Sequence, residues 1–131
     1  MNSKIQQSAE NYLETILILK NRLEQVRSID IAHELQYSRP SVSVAMKNLR
    51  ESGHISMSDE GYITLTENGQ AIAEEMYQRH TLLSSWLITL GVDDKTATED
   101  ACRIEHVISQ QTFEKISEFV KQKNSTHSPY S

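Results

Sequence analysis

The sequence predicts a mainly α protein, in which an N-terminal winged helix-turn-helix with a two-stranded wing is followed by a helical domain. Apolar residues recur at spacings of three and four through most of the chain, as on the buried face of a helix. Aromatic residues make up 6%, and there are only 4 glycines and 2 prolines, a composition typical of helices. One short segment instead alternates in residue type around a glycine and predicts a β-hairpin.

Length and charge limit the class of protein further. A chain of 131 residues fits one domain, or a small domain with a helical extension. Its single cysteine cannot form an internal disulfide, and no stretch resembles a signal peptide or a membrane span, so we expect a cytoplasmic protein without a membrane partner. The formal net charge of -5 argues against nucleic-acid binding by bulk attraction, so any DNA-binding surface needs local positive charge.

The first three elements are helices. Apolar spacing predicts a first helix over residues 4 to 22. Ser28 is a candidate N-cap for a second helix that ends at Leu35, and Ser38 caps a third helix that runs to Gly53. A tight connection joins the second helix to the third. Two short helices joined in this way form a helix-turn-helix.

A wing and a long helix follow. Residues 54–57 and 62–65 alternate in type and flank a turn that ends at Gly61, which predicts a two-stranded hairpin. Residues 66–68 then cap a long helix. His80 lies on the apolar stripe of this helix, where a lone histidine is most often a core residue with its hydrogen bonds satisfied.

Two further helices complete the chain. Gly91 ends the long helix, Asp93 caps the next, and Ser109 caps a last helix whose apolar strip could close the core or meet a second chain. From Asn124 we expect a disordered polar tail. The predicted domains are 1–72 for the winged helix-turn-helix, 73–123 for the helical domain and 124–131 for the tail.

The third helix has the local positive charge that DNA binding requires. Residues 38 to 52 contain three basic side chains against one acidic, a balance of +2. A recognition helix presents its first residues to base edges, while basic residues bind phosphates. A merely solvated helix face is the weaker interpretation, because the order of helix, helix and wing is complete. We therefore predict that this protein binds double-stranded DNA through Tyr37, Ser38, Arg39, Pro40, Ser41 and Ser43 at the bases and Arg27, Lys47 and Arg50 at the phosphates.

Potential metal ligands cluster in the second half. Cys102, Glu105 and His106 have the spacing i, i+3 and i+4, which places them on one face of a helix. A thiolate, a carboxylate and an imidazole together suit a first-row divalent cation. In the first helix, Asn11 and Glu14 are by themselves more typical of a solvated face.

These segments resemble the diphtheria-toxin-repressor family of metal-dependent transcriptional repressors, and in length the chain resembles the short, manganese-responsive branch of that family. The resemblance runs from about Ala9 to Val120. Its most specific parts are Arg79–Leu83 and Asp100–His106, because winged-helix segments are widespread among proteins. The remaining matching segments are Glu10–Glu14, Asp30–Leu35, Pro40–Ser43 and Leu65–Gly69.

The resemblance implies a metal-dependent repressor that binds operator DNA as a homodimer, with a helical dimerisation domain after the wing. Fe(II) or Mn(II) would be the metal, and the thiolate adds Zn(II) or Co(II) as competitors in vitro. The implied ligands are Asn11, Glu14, His80, Cys102, Glu105 and His106. Cys102 is typical of the iron-responsive branch and Glu14 of the manganese-responsive branch, whereas Asn11 matches neither.

Connectivity predicts how metal would control DNA binding. A metal that ties the first helix to the later helices would favour two recognition helices about one DNA turn, roughly 34 Å, apart. Three alternatives remain at this point. They are an enzyme with Cys102 as nucleophile and His106 or His80 as base, a winged-helix regulator that responds to a small molecule, and a winged-helix module that binds only proteins.

Overall fold

The computed structural model describes residues 4–126, with side chains over residues 6–122. Within this range the chain forms six helices and one antiparallel two-stranded sheet, which confirms the predicted fold class. No helix among the described residues is long and apolar enough to cross a membrane. The elements are α1 (Lys4–Arg22), α2 (Ser28–Leu35), α3 (Arg39–Glu51), β1 (Ile55–Met57), β2 (Ile63–Leu65), α4 (Glu67–Thr89), α5 (Asp94–Ile104) and α6 (Gln110–Thr126).

The chain separates into two compact units. The first is Ser3–Tyr77 and the second begins at Gln78, so the division falls within α4 and beyond residue 72, the predicted end of the winged domain. The last helix includes residues 124–126, which the sequence assigned to a disordered tail. The rest of that predicted tail, residues 127–131, lies outside the described part of the chain.

The core of the first unit is formed by the apolar faces of α1, α2 and α3, by the first part of α4 and by the inner face of the sheet. Ile16 of α1, Ile31 of α2 and Val42 of α3 are fully buried, as the helical spacing of apolar residues predicts. Ile55 and Ile63 extend this core from the two strands. The helix-turn-helix is therefore packed against both α1 and the wing.

The turn between α2 and α3 sets the direction of α3. Gln36 adopts the left-handed backbone conformation, with φ 59° and ψ 41°, and its amide donates to the carbonyl of Ala32. The Ser38 hydroxyl then accepts the amide of Ser41 at 3.3 Å and caps α3, as predicted. The N-cap of α2 is Arg27 rather than Ser28, because the Arg27 amide donates to Asp30 at 2.8 Å and Ser28 is already helical.

The wing is short and joins α4 closely. Its strands pair Ile55 with Leu65 and Met57 with Ile63. At its base, Thr66 accepts the amide of Gly69 at 3.2 Å and so caps α4. A Cβ atom on Gly69 would overlap the carbonyl group of His54, so this close approach requires a glycine there.

In the second unit, residues that cap the helices define where the helices begin and end. Gly91 follows α4 with φ +107°, a conformation that favours glycine. Asp93 accepts the amide of Thr96 at 3.1 Å at the start of α5, and Ser109 accepts the amide of Thr112 at 3.0 Å at the start of α6. Hydrogen bonds from the amide and hydroxyl of Thr96 lower the pKa of Asp93 below its ordinary value.

Candidate metal centre and nucleic-acid surface

Glu105 is the centre of a ligand cluster in the second unit. Its side chain is fully buried, with an exposed fraction of 0%. Carboxylate oxygen Oε1 lies 2.8 Å from Nδ1 of His80, and Oε2 lies 3.7 Å from Nε2 of His106. The carboxylate therefore lies between two imidazole rings, one from α4 and one from the turn after α5.

Cys102 joins this cluster from the last turn of α5. One ligand atom from each of His80, Cys102 and Glu105 lies within 4.8 Å of the others. Two ligand atoms on one first-row metal ion are about 3 to 4 Å apart, so a small adjustment would bring all three side chains onto a single ion. Cys102 is exposed and the His80 side chain is 23% exposed, while the Glu105 side chain is fully buried on the protein side of the cluster. The donor set and its access from solvent fit a divalent transition metal.

The helix that carries these ligands is shorter than the sequence predicted. It ends at Ile104, and Glu105 is its C-cap, with φ -57° and ψ -28°. The Glu105 amide still donates to the carbonyl of Ala101 at 2.9 Å, so Glu105 continues the helical direction and its side chain remains near Cys102. His106 lies in the following turn, and the prediction that all three ligands share one face of a helix is wrong for this residue.

His80 is a ligand candidate rather than an isolated core histidine. It lies on α4 one turn before the fully buried Leu83, as its place in the apolar stripe predicts, but its ring contacts the Glu105 carboxylate. Apolar spacing alone could not distinguish these two environments, because the partner is 25 residues away in the chain.

The two ligands predicted in the first helix, Asn11 and Glu14, belong to the first unit. Glu14 is only 4% exposed, so its interpretation as part of a solvated face is wrong. Asn11 is partly buried, and its backbone carbonyl accepts the hydroxyl of Thr15 at 2.8 Å. Their assignment as metal ligands stays a prediction.

The nine residues predicted to contact DNA are all exposed in the first unit. Ser38 and Ser41 form a hydroxyl pair at 2.8 Å at the start of α3. The guanidinium of Arg27 lies 4.6 Å from the ring centre of Tyr62, beside the turn of the wing. Their contact with DNA stays a prediction, and their exposure meets its first requirement.

Tyr37, between α2 and α3, is fixed by an aromatic contact. Its ring meets that of Tyr12 edge to face, with centres 6.0 Å apart. Burial raises the pKa of the Tyr12 hydroxyl, and the neighbouring Tyr37 raises it further. This contact holds the turn between the two helices against α1.

Two further residues near the predicted sites were not identified from the sequence. Val44 is 61% exposed on α3, among the polar residues predicted to face DNA. Arg79 is buried on α4, and its guanidinium donates to the carbonyl of Glu105 at 2.9 Å. The only sequence signal for Arg79 was its place beside His80 in the segment that carries the family resemblance.

Two family models together match nearly the whole chain. The model described as iron dependent repressor, N-terminal DNA binding domain, matches residues 4–67. The model described as iron dependent repressor, metal binding and dimerisation domain, matches residues 66–130.

The chain is also similar to several transcriptional regulators. An uncharacterized HTH-type transcriptional regulator of Methanocaldococcus jannaschii is 32% identical over 117 residues, which are 88% of this chain and 94% of that protein. The transcriptional regulator MntR of Salmonella typhimurium is 33% identical over 113 residues, which are 86% of this chain and 72% of that protein.

Solved structures share the fold. The manganese regulator SloR aligns over 86% of this chain with a TM-score of 0.77 and 28% identity. A manganese-dependent transcriptional repressor in complex with manganese aligns over 86% of this chain with a TM-score of 0.80 and 26% identity. The alignments cover 53% and 52% of those two chains, so this chain spans about half of their length.

Proposed function

Because this chain belongs to the iron-dependent repressor family, that of the diphtheria-toxin repressor and MntR, we propose that it is a metal-dependent transcriptional repressor. It binds operator DNA as a homodimer when it is loaded with Fe(II) or Mn(II), and it controls metal-ion homeostasis. The family resemblance inferred from the sequence is confirmed. The related MntR proteins are transcriptional regulators, and the similar structure with bound manganese is a manganese-dependent repressor.

The cluster of His80, Cys102 and Glu105 carries this proposal. It combines an imidazole, a thiol and a buried carboxylate within 4.8 Å, and two of the three side chains are open to solvent. A divalent cation bound there would offset the buried negative charge of Glu105. The cluster favours metal over a small organic effector, because its three ligand atoms converge on a volume of the size of one ion.

Regulation requires that metal and DNA prefer the same state of the protein. Residues of α4, of α5 and of the turn after α5 hold the metal, and the predicted ligands Asn11 and Glu14 lie on α1, the helix that precedes the helix-turn-helix. Metal then favours the DNA-competent arrangement of the dimer. By reciprocity, operator DNA must tighten metal binding by the same factor.

The homodimer is supported by apolar side chains that remain exposed in the second unit. Leu90 and Phe119 are large and exposed, and they line an apolar groove with Trp86 and Ile116. Exposed apolar surfaces of this kind are typical of protein interfaces. A second copy of the chain is the partner that the family implies, and sedimentation equilibrium measures whether it binds.

Titration of metal and DNA together tests the proposed function. Fluorescence anisotropy with a duplex from the regulator's own promoter should show tight binding with Mn(II), or with Fe(II) under anaerobic conditions, and weak binding with a chelator. His106→Ala should abolish the gain caused by metal while circular dichroism shows an intact fold. His33→Ala, at an exposed position of α2, is the control for metal titration by calorimetry and should match the wild type. An unchanged metal response in His106→Ala would contradict the proposed site.

The proposal gives Cys102 the role of a ligand rather than a nucleophile, and it includes no enzymatic reaction. It also places the protein in the cytoplasm, where operator DNA is accessible. Zn(II) and Co(II) are expected to compete at the same ligands in vitro, because affinity depends on ligand type more than on the physiological metal.

A further inference from the structure

We propose that Arg79 is a positioning residue that holds the turn between α5 and α6, and with it Glu105 and His106, in the geometry that binds metal. The inference rests on the metal site proposed above and adds to it a residue that touches no metal. Arg79 and every partner named below belong to the second unit.

Arg79 is unusual because it is a buried cation. Its exposed fraction is 6%, whereas arginine is almost never fully buried unless it is paired. Removing a guanidinium from water is costly, so its hydrogen bonds must be numerous and well formed. A cation kept in such a place indicates a role that a small apolar residue could not perform.

The hydrogen bonds of Arg79 follow the path of the chain from α5 into α6. Nη1 donates to the carbonyls of Glu105 at 2.9 Å and Ile108 at 3.2 Å, and Nη2 donates to Oε1 of Gln110 at 2.8 Å. Carbonyls at the end of a helix have no partner within the helix, and a cation there is favoured by the helix dipole. Arg79 therefore closes the end of α5 and fixes the start of α6 at once.

Glu105 is consequently held at two points. Arg79 binds its backbone carbonyl, and the next residue, His80, binds its carboxylate at 2.8 Å. Successive residues of a helix point about 100° apart, so the two side chains reach Glu105 from different directions. Neither the backbone nor the side chain of Glu105 can shift without breaking one of these contacts. Partners that orient a ligand in this way raise metal affinity by preorganisation.

The geometry needs an arginine rather than any cation. The planar guanidinium reaches three acceptors and lies over the ring of Phe113, with 5.2 Å from its central carbon to the ring centre. A lysine has one nitrogen on a flexible stem and cannot reproduce this fork. Arg79→Lys thus keeps the charge and removes the positioning, which makes it the informative substitution.

Calorimetric titration of the full chain with Mn(II), and separately with Co(II), tests this role. Arg79→Lys should weaken metal binding by about 10- to 100-fold, the effect usual for residues that orient ligands. The matched control is Arg103→Lys on α5, since Arg103 is 75% exposed and pairs only on the surface with Asp100 at 3.0 Å. The control should retain the wild-type affinity within about twofold, as surface ion pairs contribute little.

Hydrogen exchange in the metal-free protein provides a second measurement. The amides of residues 105–109 should exchange faster in Arg79→Lys than in the wild type, and at the wild-type rate in Arg103→Lys. A purely structural role would lower the melting temperature and leave the metal affinity of the folded protein unchanged, and that result would overturn the inference.

The titrations distinguish a failure of the proposed metal site from a failure of the role proposed for Arg79. If the wild type binds neither metal, the proposed function and this inference fail together. If the wild type binds and Arg79→Lys binds equally well, only this inference fails. Should Arg79→Lys not fold, Gln110→Ala decides, because it removes one acceptor and should weaken metal binding by about three- to tenfold. Wild-type affinity in Gln110→Ala would then overturn the inference.

Discussion

At the scale of single residues, Glu105 determines the chemistry of the second unit. Its carboxylate is fully buried, 2.8 Å from His80 and 3.7 Å from His106. Burying an ionised carboxylate is costly unless nearby groups compensate its charge. A cation bound at this cluster would compensate such a charge, so the burial of Glu105 supports the proposed metal site independently of any resemblance to other proteins.

The sequence pointed to the side chains that form this cluster, whose role as metal ligands stays a prediction, but not to the contact that Arg79 makes with Glu105. Cys102, Glu105 and His106 were found because a thiol, a carboxylate and an imidazole within five residues are a specific combination. Arg79 was missed because a buried arginine and a surface arginine are identical in sequence. Its acceptors, at Glu105 and Gln110, are 26 and 31 residues away, beyond the range of any local pattern.

The left-handed conformation of Gln36 leads to a prediction about stability. A side chain costs about 1 to 2 kcal/mol at such a position, whereas glycine adopts it freely and loses somewhat more entropy on folding. Gln36→Gly should therefore stabilise the protein by about 0.5 to 1 kcal/mol in urea unfolding. Gln78→Gly, at an exposed helical position of α4, should instead destabilise it by about 1 kcal/mol. Equal effects of the two substitutions would contradict the role of the backbone conformation.

At the scale of elements, the starts of helices were predicted better than their ends. Ser38, Asp93 and Ser109 each accept an amide three residues ahead, so the cap depends only on local sequence. At the end of α5, after Ile104, the carbonyl of Glu105 accepts a hydrogen bond from the side chain of Arg79. A contact with a residue 26 positions away thus accompanies this helix end, and local sequence patterns do not reveal it.

The cap of α5 should make stability depend on pH. Hydrogen bonds from Thr96 lower the pKa of Asp93 below its ordinary value of 3.8, because they favour the carboxylate. Its contribution is therefore present above that ordinary pKa and is lost as the pH falls through the pKa of the folded protein. Asp93→Asn keeps a good cap that does not titrate. The stability of the wild type relative to this variant should decrease as the pH falls below 3.8.

Urea unfolding at a series of pH values, from neutral to about 3, measures this difference. Asp94→Asn is the matched control in the same turn, since it retains Asp93 and should retain the pH response of the wild type. A difference between the wild type and Asp93→Asn that does not change with pH would exclude this role of the cap.

At the junction of the wing and α4, replacing a glycine by alanine should destabilise the protein, although this change usually stabilises a helix. Alanine normally stabilises a helix by about 1 kcal/mol relative to glycine. At Gly69 the added Cβ would overlap the backbone carbonyl of His54, so Gly69→Ala should destabilise the protein by about 1 to 3 kcal/mol. The exposed Asn68→Ala in the same turn should change stability by less than about 0.5 kcal/mol. A more stable Gly69→Ala in thermal unfolding would show that the junction is not tightly packed.

At the scale of the whole molecule, basic residues are concentrated on the predicted DNA-binding surface, although the net charge of the chain is negative. The chain carries -5, while the exposed basic residues predicted to bind phosphates lie on α3 and just before α2. Two carboxylates, Asp59 and Glu60, are exposed in the turn of the wing. We expect DNA binding to rest on these few basic residues, and salt should weaken it in proportion to the number of phosphates that they contact.

The salt dependence of DNA affinity measures the number of phosphate contacts. Each phosphate contact contributes about 0.9 to the slope of log affinity against log salt, so Lys47→Gln should reduce the slope of a dimer by about 1.8. Lys121→Gln, exposed on α6, is the control and should leave the slope unchanged. Anisotropy titrations of the metal-loaded protein at several salt concentrations measure both slopes. An unchanged slope in Lys47→Gln would show that Lys47 contacts no phosphate.

The continuity of α4 has a consequence for attempts to divide the protein. This helix runs from Glu67 to Thr89, while the boundary between the two units follows Tyr77. A protein fragment ending at that boundary would finish inside a helix, with carbonyls that lack both the next turn and a capping glycine. Its final turns would fray in isolation, because short helices are marginal in water. A separately expressed DNA-binding fragment is thus better ended in the turn at Gly91, the natural stop of that helix.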